Sequence, residues 1–289
     1  MEIFKQIAPL KAFLNAQKRA GKSVGLVPTM GALHAGHLSL IKVSKAQNDV
    51  TVCSIFVNPT QFNNPNDLQK YPRTLDKDTL LLEKVECDAV FCPEASEMYP
   101  EKSIIKFDFG HLDRVMEGAF RPGHFSGVGL VVSKLFNIIQ PTRAYFGQKD
   151  WQQFAVIRRL VDELNFDLEL TSVPTSREDD GLAMSSRNLR LNPDQRQAAT
   201  VFYESLVAAG QALQHGKTIR EARAIVQAKF DERQGVSLEY FELADSKNLN
   251  ILENVNASDS PSGLPVGLPI MCIAGFVGEV RLIDNMFLQ

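Results

Sequence analysis

Apolar and polar positions change period repeatedly along the first half of the chain. Val24-Gly25-Leu26-Val27 is a short apolar run that ends at Pro28. Helical spacing follows from about Gly36 to Gln47, and the β-branched run from Val50 to Val57 reads as a buried strand. Leu75 to Val85 returns to helical periodicity, and Ala89 to Cys92 is another short strand. Val128 to Ile139 predicts a buried helix, Ala144-Tyr145-Phe146 a strand, Trp151 to Leu164 an amphipathic helix, and Leu168 to Val173 a further strand. Such alternation predicts a parallel sheet covered by helices on both faces. Right-handed crossovers then favour an α/β fold with a Rossmann-like, doubly wound parallel sheet.

The pattern changes in the last third. Pro193 to Leu213 predicts one long helix and Thr218 to Phe230 another. Leu238 to Leu243 reads as a strand, and Ile270 to Ile283 as a hairpin turning near Gly275–Gly278. This is an α+β pattern. Asn256 to Pro269, rich in Ser, Pro and Gly, predicts an exposed, mobile loop. The domain boundary is expected near residues 178–190, giving a Rossmann-like domain at 1–180 and a smaller α+β domain at 181–289. No internal repeat is visible.

Length and composition agree with two cores: 289 residues, 44% apolar and 22% charged. A net charge of −3 argues against a globally basic, nucleic-acid-binding surface. Met1-Glu2-Ile3-Phe4-Lys5 does not open a basic, then apolar, leader, and no membrane-length apolar run follows. The expected compartment is the cytoplasm, with no membrane partner. Cys53, Cys87, Cys92 and Cys272 are then expected to be reduced, and Cys87 and Cys92 do not form a common zinc pattern.

Four segments carry candidate chemistry. Val27-Pro28-Thr29-Met30-Gly31-Ala32-Leu33-His34-Ala35-Gly36-His37 follows the first of these strands and opens a helix. Helix N-termini offer amide groups and a positive dipole end to anions. His34 and His37, three positions apart, share one face of that first turn. They can stabilise charge developing at phosphorus; the bland alternative is one capping and one packed histidine. Zinc is disfavoured, because no His-Glu-x-x-His arrangement or clear third ligand accompanies the pair. Met184-Ser185-Ser186-Arg187-Asn188 combines two hydroxyls and a guanidinium suited to phosphate, or serves as a capped polar linker. Tyr145-Phe146-Gly147-Gln148-Lys149-Asp150-Trp151-Gln152-Gln153 runs from a strand end into a helix, where Lys149 can meet a phosphate and Gln153 a polar ligand. Phe56-Val57-Asn58-Pro59-Thr60-Gln61-Phe62 also follows a strand; Gln61 binds a small polar substrate there or satisfies loop backbone groups.

Together the four segments resemble the His-x-Gly-His nucleotidylyltransferases and, within them, the pantothenate synthetase (pantoate–β-alanine ligase) family. The resemblance runs over nearly the whole chain and includes Tyr71-Pro72-Arg73-Thr74, Arg121-Pro122-Gly123-His124-Phe125-Ser126-Gly127-Val128 and Lys134-Leu135-Phe136-Asn137. It implies condensation of pantoate with β-alanine through a pantoyl-adenylate, with ATP as co-substrate, Mg²⁺ and a homodimer. Met30, Gly31, Ala32, Leu33, His34, Ala35, Gly36 and His37 would form the ATP-binding turn, with His37, His34 and Lys149 catalytic. Gln61 and Gln153 would hold pantoate, with Gln61 also near β-alanine. Gly147, Gln148, Lys149 and Asp150 would contact ATP, Ser176 through its backbone, and Met184, Ser185, Ser186 and Arg187 would close on the phosphates. The smaller domain would cover the active site. Related sequences often have an acidic run where Asp76 and Asp78 here flank Lys77. This leaves open which carboxylate, Asp78 among them, assists the Mg²⁺–phosphate site. Other nucleotidylyltransferases, a class I tRNA synthetase and a catalytically silent nucleotide-binding protein are the competing readings.

Overall fold

The computed structural model describes residues 1–253 and 267–288, so the loop expected at 256–269 lies almost wholly outside the described residues. The chain divides into two compact units. One comprises Met1–Gln148 with Val156–Pro174, the other Lys149–Ala155 with Thr175–Gln289.

The elements of the first part of the chain are β1 (Glu2–Phe4), α1 (Ile7–Arg19), β2 (Val24–Thr29), α2 (Ala35–Gln47), β3 (Val50–Ile55), α3 (Pro65–Lys70) and α4 (Leu75–Lys84). They continue with β4 (Ala89–Phe91), α5 (Ala95–Met98), α6 (Met116–Phe120), α7 (His124–Ile139), β5 (Arg143–Gly147), α8 (Trp151–Glu163) and β6 (Glu169–Val173). The strands form one parallel sheet in the order β1-β4-β3-β2-β5-β6, flanked by helices. This is the Rossmann-like sheet the alternation predicted. The direction of winding reverses between β2 and β5, which makes their C-terminal ends a switch point. The β2–β5 ladder is short, pairing Gly25 with Arg143 and Leu26 with Ala144, whereas β2 stays paired with β3 as far as Thr29.

Helix α2 packs against β2, β3 and β5, and its buried Leu40 and Ile41 join Val27, Cys53, Leu82, Cys87, Val90 and Tyr145 in the core. Each of the aliphatic side chains contributes roughly 1.5–3 kcal/mol on burial. The structure adds β1, α1 and the short helices α3, α5 and α6 to the elements expected from periodicity. A three-residue edge strand carries too little pattern to stand out, and Pro9 obscures α1 although it sits in the tolerant first turn.

The second unit contains α9 (Pro193–Ala198), α10 (Val201–Gln214), α11 (Ile219–Asp231) and an antiparallel sheet of β7 (Val236–Asp245), β8 (Pro269–Val277) and β9 (Val280–Phe287). Phe202, Leu206 and Leu213 from α10, Val226 and Phe230 from α11, and Phe241, Leu243, Met271 and Ile273 from the sheet share its core. The single helix expected at 193–213 is two. The amides of Thr200 and Phe202 bond three residues back, both at 3.3 Å, and the Thr200 hydroxyl takes the Gln197 carbonyl at 3.0 Å. Side-chain competition thus interrupts the helical ladder for one turn. The β8–β9 turn falls at Gly278-Glu279 rather than at Gly275, which lies inside β8. Gly278 has φ +56°, as the first residue of a two-residue hairpin loop demands.

All four cysteines are buried, and none is in a disulfide. Burial pushes the Cys53 thiol well above its ordinary value, Cys87 up to about 11, and Cys92 up as well. Thiolate is the reactive form. At pH 8 the folded chain should therefore react slowly with a disulfide reagent, and all four thiols should react at once in guanidinium chloride. A fast thiol in the folded chain would contradict this burial.

Candidate active site

Strand β2 delivers the chain into a tight turn. Gly31 and Ala32 both have positive φ, +81° and +50°. A Cβ on Gly31 would lie 3.1 Å from the Asp78 carboxylate, so the turn needs glycine for its conformation and for its close neighbour. Asp78, buried on the first turn of α4, accepts the Ala32 amide at 2.9 Å and the Leu33 amide at 2.8 Å, one on each oxygen. The Thr74 hydroxyl adds a third bond at 3.2 Å. This carboxylate braces the turn, and the strained backbone at Ala32 is held by charge-assisted bonds.

Helix α2 opens directly beyond the brace. His37 and Leu38 are the first amides bonded within it, both to the His34 carbonyl, so Ala35 and Gly36 stand at its amide-bearing end. The His34 amide donates to His37 Nδ1 at 3.3 Å, and the two rings lie 4.0 Å apart. A neutral His37 held this way carries its proton on Nε2, which makes that nitrogen a donor.

Gln61 sits in a 3-10 turn, Pro59–Gln61, just after β3. Its side-chain amide is oriented by Asn58, whose Nδ2 donates to Gln61 Oε1 at 3.0 Å and to the Gly127 carbonyl at 3.2 Å. Asn58 is itself fixed: its Oδ1 accepts from the Tyr99 hydroxyl at 2.8 Å and the Thr60 hydroxyl at 3.0 Å. Burial pushes the Tyr99 phenol up, which keeps it a donor. Gln61 Nε2 then points at Met30 Sδ, 3.1 Å away, on the turn after β2. The Gln61 carbonyl meets His124 Nδ1 at 2.9 Å, and a Cβ on Gly127 would fall 2.3 Å from the Thr60 carbonyl oxygen. The Arg-Pro-Gly-His-Phe-Ser-Gly segment therefore serves as the backing of this turn.

The first unit brings Met30, the turn to His37, and Gln61 together, with Gly147 and Gln148 leaving β5 on the strand adjacent to β2. In the second unit, Lys149 is mostly buried and 3.8 Å from the exposed Asp150, and Gln153 is half-buried on the first turn of α8. Ser176 and Met184 face each other through a backbone bond of 3.0 Å, and the loop continues through half-buried Ser185 and Arg187 and buried Ser186. Sequence reasoning did not single out Asn58, Asp284 or Asn285. Asn58 had a signal, an Asn preceding Pro-Thr at a turn start. Asp284 accepts Arg177 in a bidentate pair at 2.6 and 3.0 Å; burial pushes its carboxyl up against the pull of that guanidinium.

A helix N-terminus opening at a switch point is where Rossmann-like folds take nucleotide phosphates. Paired histidines on its first turn make this a nucleotide-binding α/β protein of the His-x-Gly-His type. The comparisons with known proteins narrow the class. The chain belongs to the pantoate–β-alanine ligase family, whose model matches residues 2–287. It is 49% identical to a pantothenate synthetase of Bacteroides fragilis, covering 99% of this chain and 98% of that one. It is 44% identical to one from Thermosipho africanus, covering the whole of both. Among solved structures, a pantothenate synthetase of Thermus thermophilus superposes with a TM-score of 0.90 at 39% identity, over 100% and 99% of the two chains. The pantoate–β-alanine ligase of Francisella tularensis, complexed with β-γ ATP and β-alanine, superposes at 0.82 with 34% identity, over 99% and 97%.

The brace is open to test. Asp78→Asn turns an amide N–H against one of the two turn amides. Stability should fall by about 1–3 kcal/mol, read by urea unfolding, and affinity for a non-hydrolysable ATP analogue should fall in calorimetric titration of the folded variant. Undiminished nucleotide affinity would confine Asp78 to a role in stability.

Proposed function

We infer that this chain is an AMP-forming pantoate–β-alanine ligase, which condenses (R)-pantoate with β-alanine, driven by ATP, in pantothenate and coenzyme A biosynthesis. The observation that carries the reading is the family match across residues 2–287. The Francisella tularensis relative complexed with β-γ ATP and β-alanine supports both small-molecule substrates.

The chemistry has two steps. A pantoate carboxylate oxygen attacks the α-phosphorus of ATP; the new P–O bond forms as the bond to the β-phosphate breaks, and pyrophosphate leaves. The β-alanine amine then attacks the acyl carbon of the pantoyl-adenylate. The C–N bond forms, the C–O bond to AMP breaks, and the amine gives up a proton. The carboxylate is already ionised near neutral pH, so the first step needs no strong base. Charge on the phosphates is the larger problem. We assign it to the amide end of α2, His34 and His37, Lys149, Ser185, Ser186 and Arg187. His37 with its Nε2 proton supplies a donor, in keeping with the contact at Nδ1. Gln61 holds pantoate, supported by its oriented Nε2 beside Met30, and Gln153 is its partner in the family assignment. Gly147 to Asp150 and the Ser176 backbone contact the nucleotide.

Mg²⁺ enters as part of Mg–ATP. Among the described residues no group of three His, Cys, Asp or Glu side chains converges to hold a metal, and the Asp78 carboxylate is engaged by protein donors. Bound with ATP, the ion would add positive charge beside the phosphates, a role Mg²⁺ commonly fills with one or two protein carboxylates or none. The same family reading carries a homodimer in the cytoplasm.

Two outcomes are expected. Exchange of labelled pyrophosphate into ATP should require pantoate and proceed without β-alanine; exchange that depends on β-alanine would rule out the order of steps. His37→Ala should slow adenylation about 10²–10³-fold, as loss of one preorganised donor does, with a smaller change in ATP affinity. Single-turnover kinetics of each half-reaction, with melting curves to confirm folding, separate the two. A folded variant with full adenylation would return His37 to a packing role.

A further inference from the structure

Two adjacent residues near the end of β9 reach both arms of the phosphate-binding set in the second unit. Asp284 and Asn285 are buried, 3% and 5% exposed. Asp284 takes Arg177 through both nitrogens of its fork, and the same guanidinium donates to the Gly181 carbonyl at 3.0 Å and the Asn285 carbonyl at 3.1 Å. It also lies over the Tyr203 ring, 4.7 Å from its centre. Arg177 stands on the strand-like arm that pairs with Ala183, and Ser176 and Met184 close that arm by a backbone bond. The Met184–Arg187 run hangs from it.

Asn285 holds the other arm. Its side-chain Nδ2 donates to the Lys149 carbonyl at 2.6 Å, and its own amide donates to Asp284 Oδ1 at 2.8 Å. The Lys149 turn and the Ser176–Arg187 loop, more than two dozen positions apart in sequence, thus meet on one dipeptide. Neither Asp284 nor Asn285 offers a positive charge to a phosphate. Asp284 engages the Arg177 guanidinium on one arm, and Asn285 the Lys149 carbonyl on the other.

We propose that Asp284 and Asn285 are positioning residues, a clamp that sets the Lys149 turn and the Ser-Ser-Arg loop in fixed relation for adenylation. The proposal rests on the assignment of Lys149 to the ATP phosphates. Lysine is a flexible point charge, and small displacements of a charge-stabilising group are costly in rate. Fixing its peptide reduces the freedom of the whole side chain. The amide of Asn285 is the chemistry this needs: a neutral donor facing a carbonyl. An isosteric carboxylate there would set oxygen against oxygen.

The test is a double-mutant cycle on ATP-dependent pyrophosphate exchange, normalised to active sites by single-turnover burst and accompanied by melting curves. Asn285→Ala should lower kcat/KM for ATP about tenfold, the size of one lost hydrogen bond, and leave the KM for pantoate in place. Asn285→Asp, the closest isostere, should be the poorer of the two. In a Lys149→Ala chain, Asn285→Ala should add little, because the group it positions is gone. Effects of Asn285→Ala and Lys149→Ala that multiply in full would overturn the clamp, as would Asn285→Ala raising the KM for pantoate as much as that for ATP. If Lys149→Ala alone leaves kcat/KM for ATP unchanged, the assignment of Lys149 fails and the clamp falls with it. Should Asn285→Ala not fold, Asn285→Asp, which keeps volume and shape, carries the same cycle.

Discussion

The parting of β2 from β5 is the constraint on which the first unit's site depends. The Val24 carbonyl accepts from Thr142 at the start of β5, and the Thr29 carbonyl accepts from Phe56 beyond β3. Strand residues alternate in the side to which they present their amide and carbonyl groups. Val24, Leu26 and Pro28 therefore face β5, whereas Val27 and Thr29 face β3. Proline has no amide hydrogen, so the β5 side of β2 loses its donor at Pro28, just after the last β2–β5 pair. The two strands are released from each other while β2 stays tied to β3. A central strand normally excludes proline for this reason; here the missing donor opens the sheet beside the turn that leads into α2.

Opening a sheet exposes backbone that must be held by other means. The described structure does this with buried polar side chains aimed at peptide groups. Asp78 takes two amides of the strained turn, Asn58 spans Gly127 and the Gln61 side chain, and Asn285 takes the Lys149 carbonyl. Each is a case in which the low dielectric of the interior makes a satisfied bond strong and an unsatisfied one expensive. The turn after β2, the Gln61 side chain and the Lys149 peptide are thereby held by protein groups alone, which is how a site keeps its geometry before a ligand arrives.

Legibility in the sequence followed the range of the interaction. The β–α alternation, the strand-to-helix position of Met30 to His37 and the hairpin near Gly278 rest on neighbours in the chain, and they could be read. So could the burial of the cysteines. The supports could not. Asp78 and its turn are separated by 45 and 46 positions, and its partners are backbone amides, which every residue possesses and no sequence displays. A carboxylate near a phosphate motif suggests a metal ligand, and nothing in the sequence shows that packing also sets it against two backbone amides. Asn285 is bound to a carbonyl 136 positions away and lies in the second strand of an ordinary hydrophobic hairpin. The interruption at Thr200 escaped for the opposite reason: it is local, but it turns on a hydroxyl rotamer, and the apolar periodicity runs across it unbroken.

The strand order has a consequence for how the chain assembles. β1 pairs with β4 through Glu2 and Ala89, at one flank of the sheet, while the centre, β3–β2–β5, is built inward of it. Contacts closed over a long stretch of chain form late relative to those between near neighbours. Gly25 and Arg143 lie 118 positions apart, against 87 for Glu2 and Ala89 and 26 for Val24 and Val50 or Arg143 and Glu169. The β2–β3 and β5–β6 ladders are therefore expected to close early, the β1–β4 edge later, and the join of β2 to β5 last. The two parts of the sheet meet at the switch point itself, so the cleft there is the last feature of the first unit to take shape.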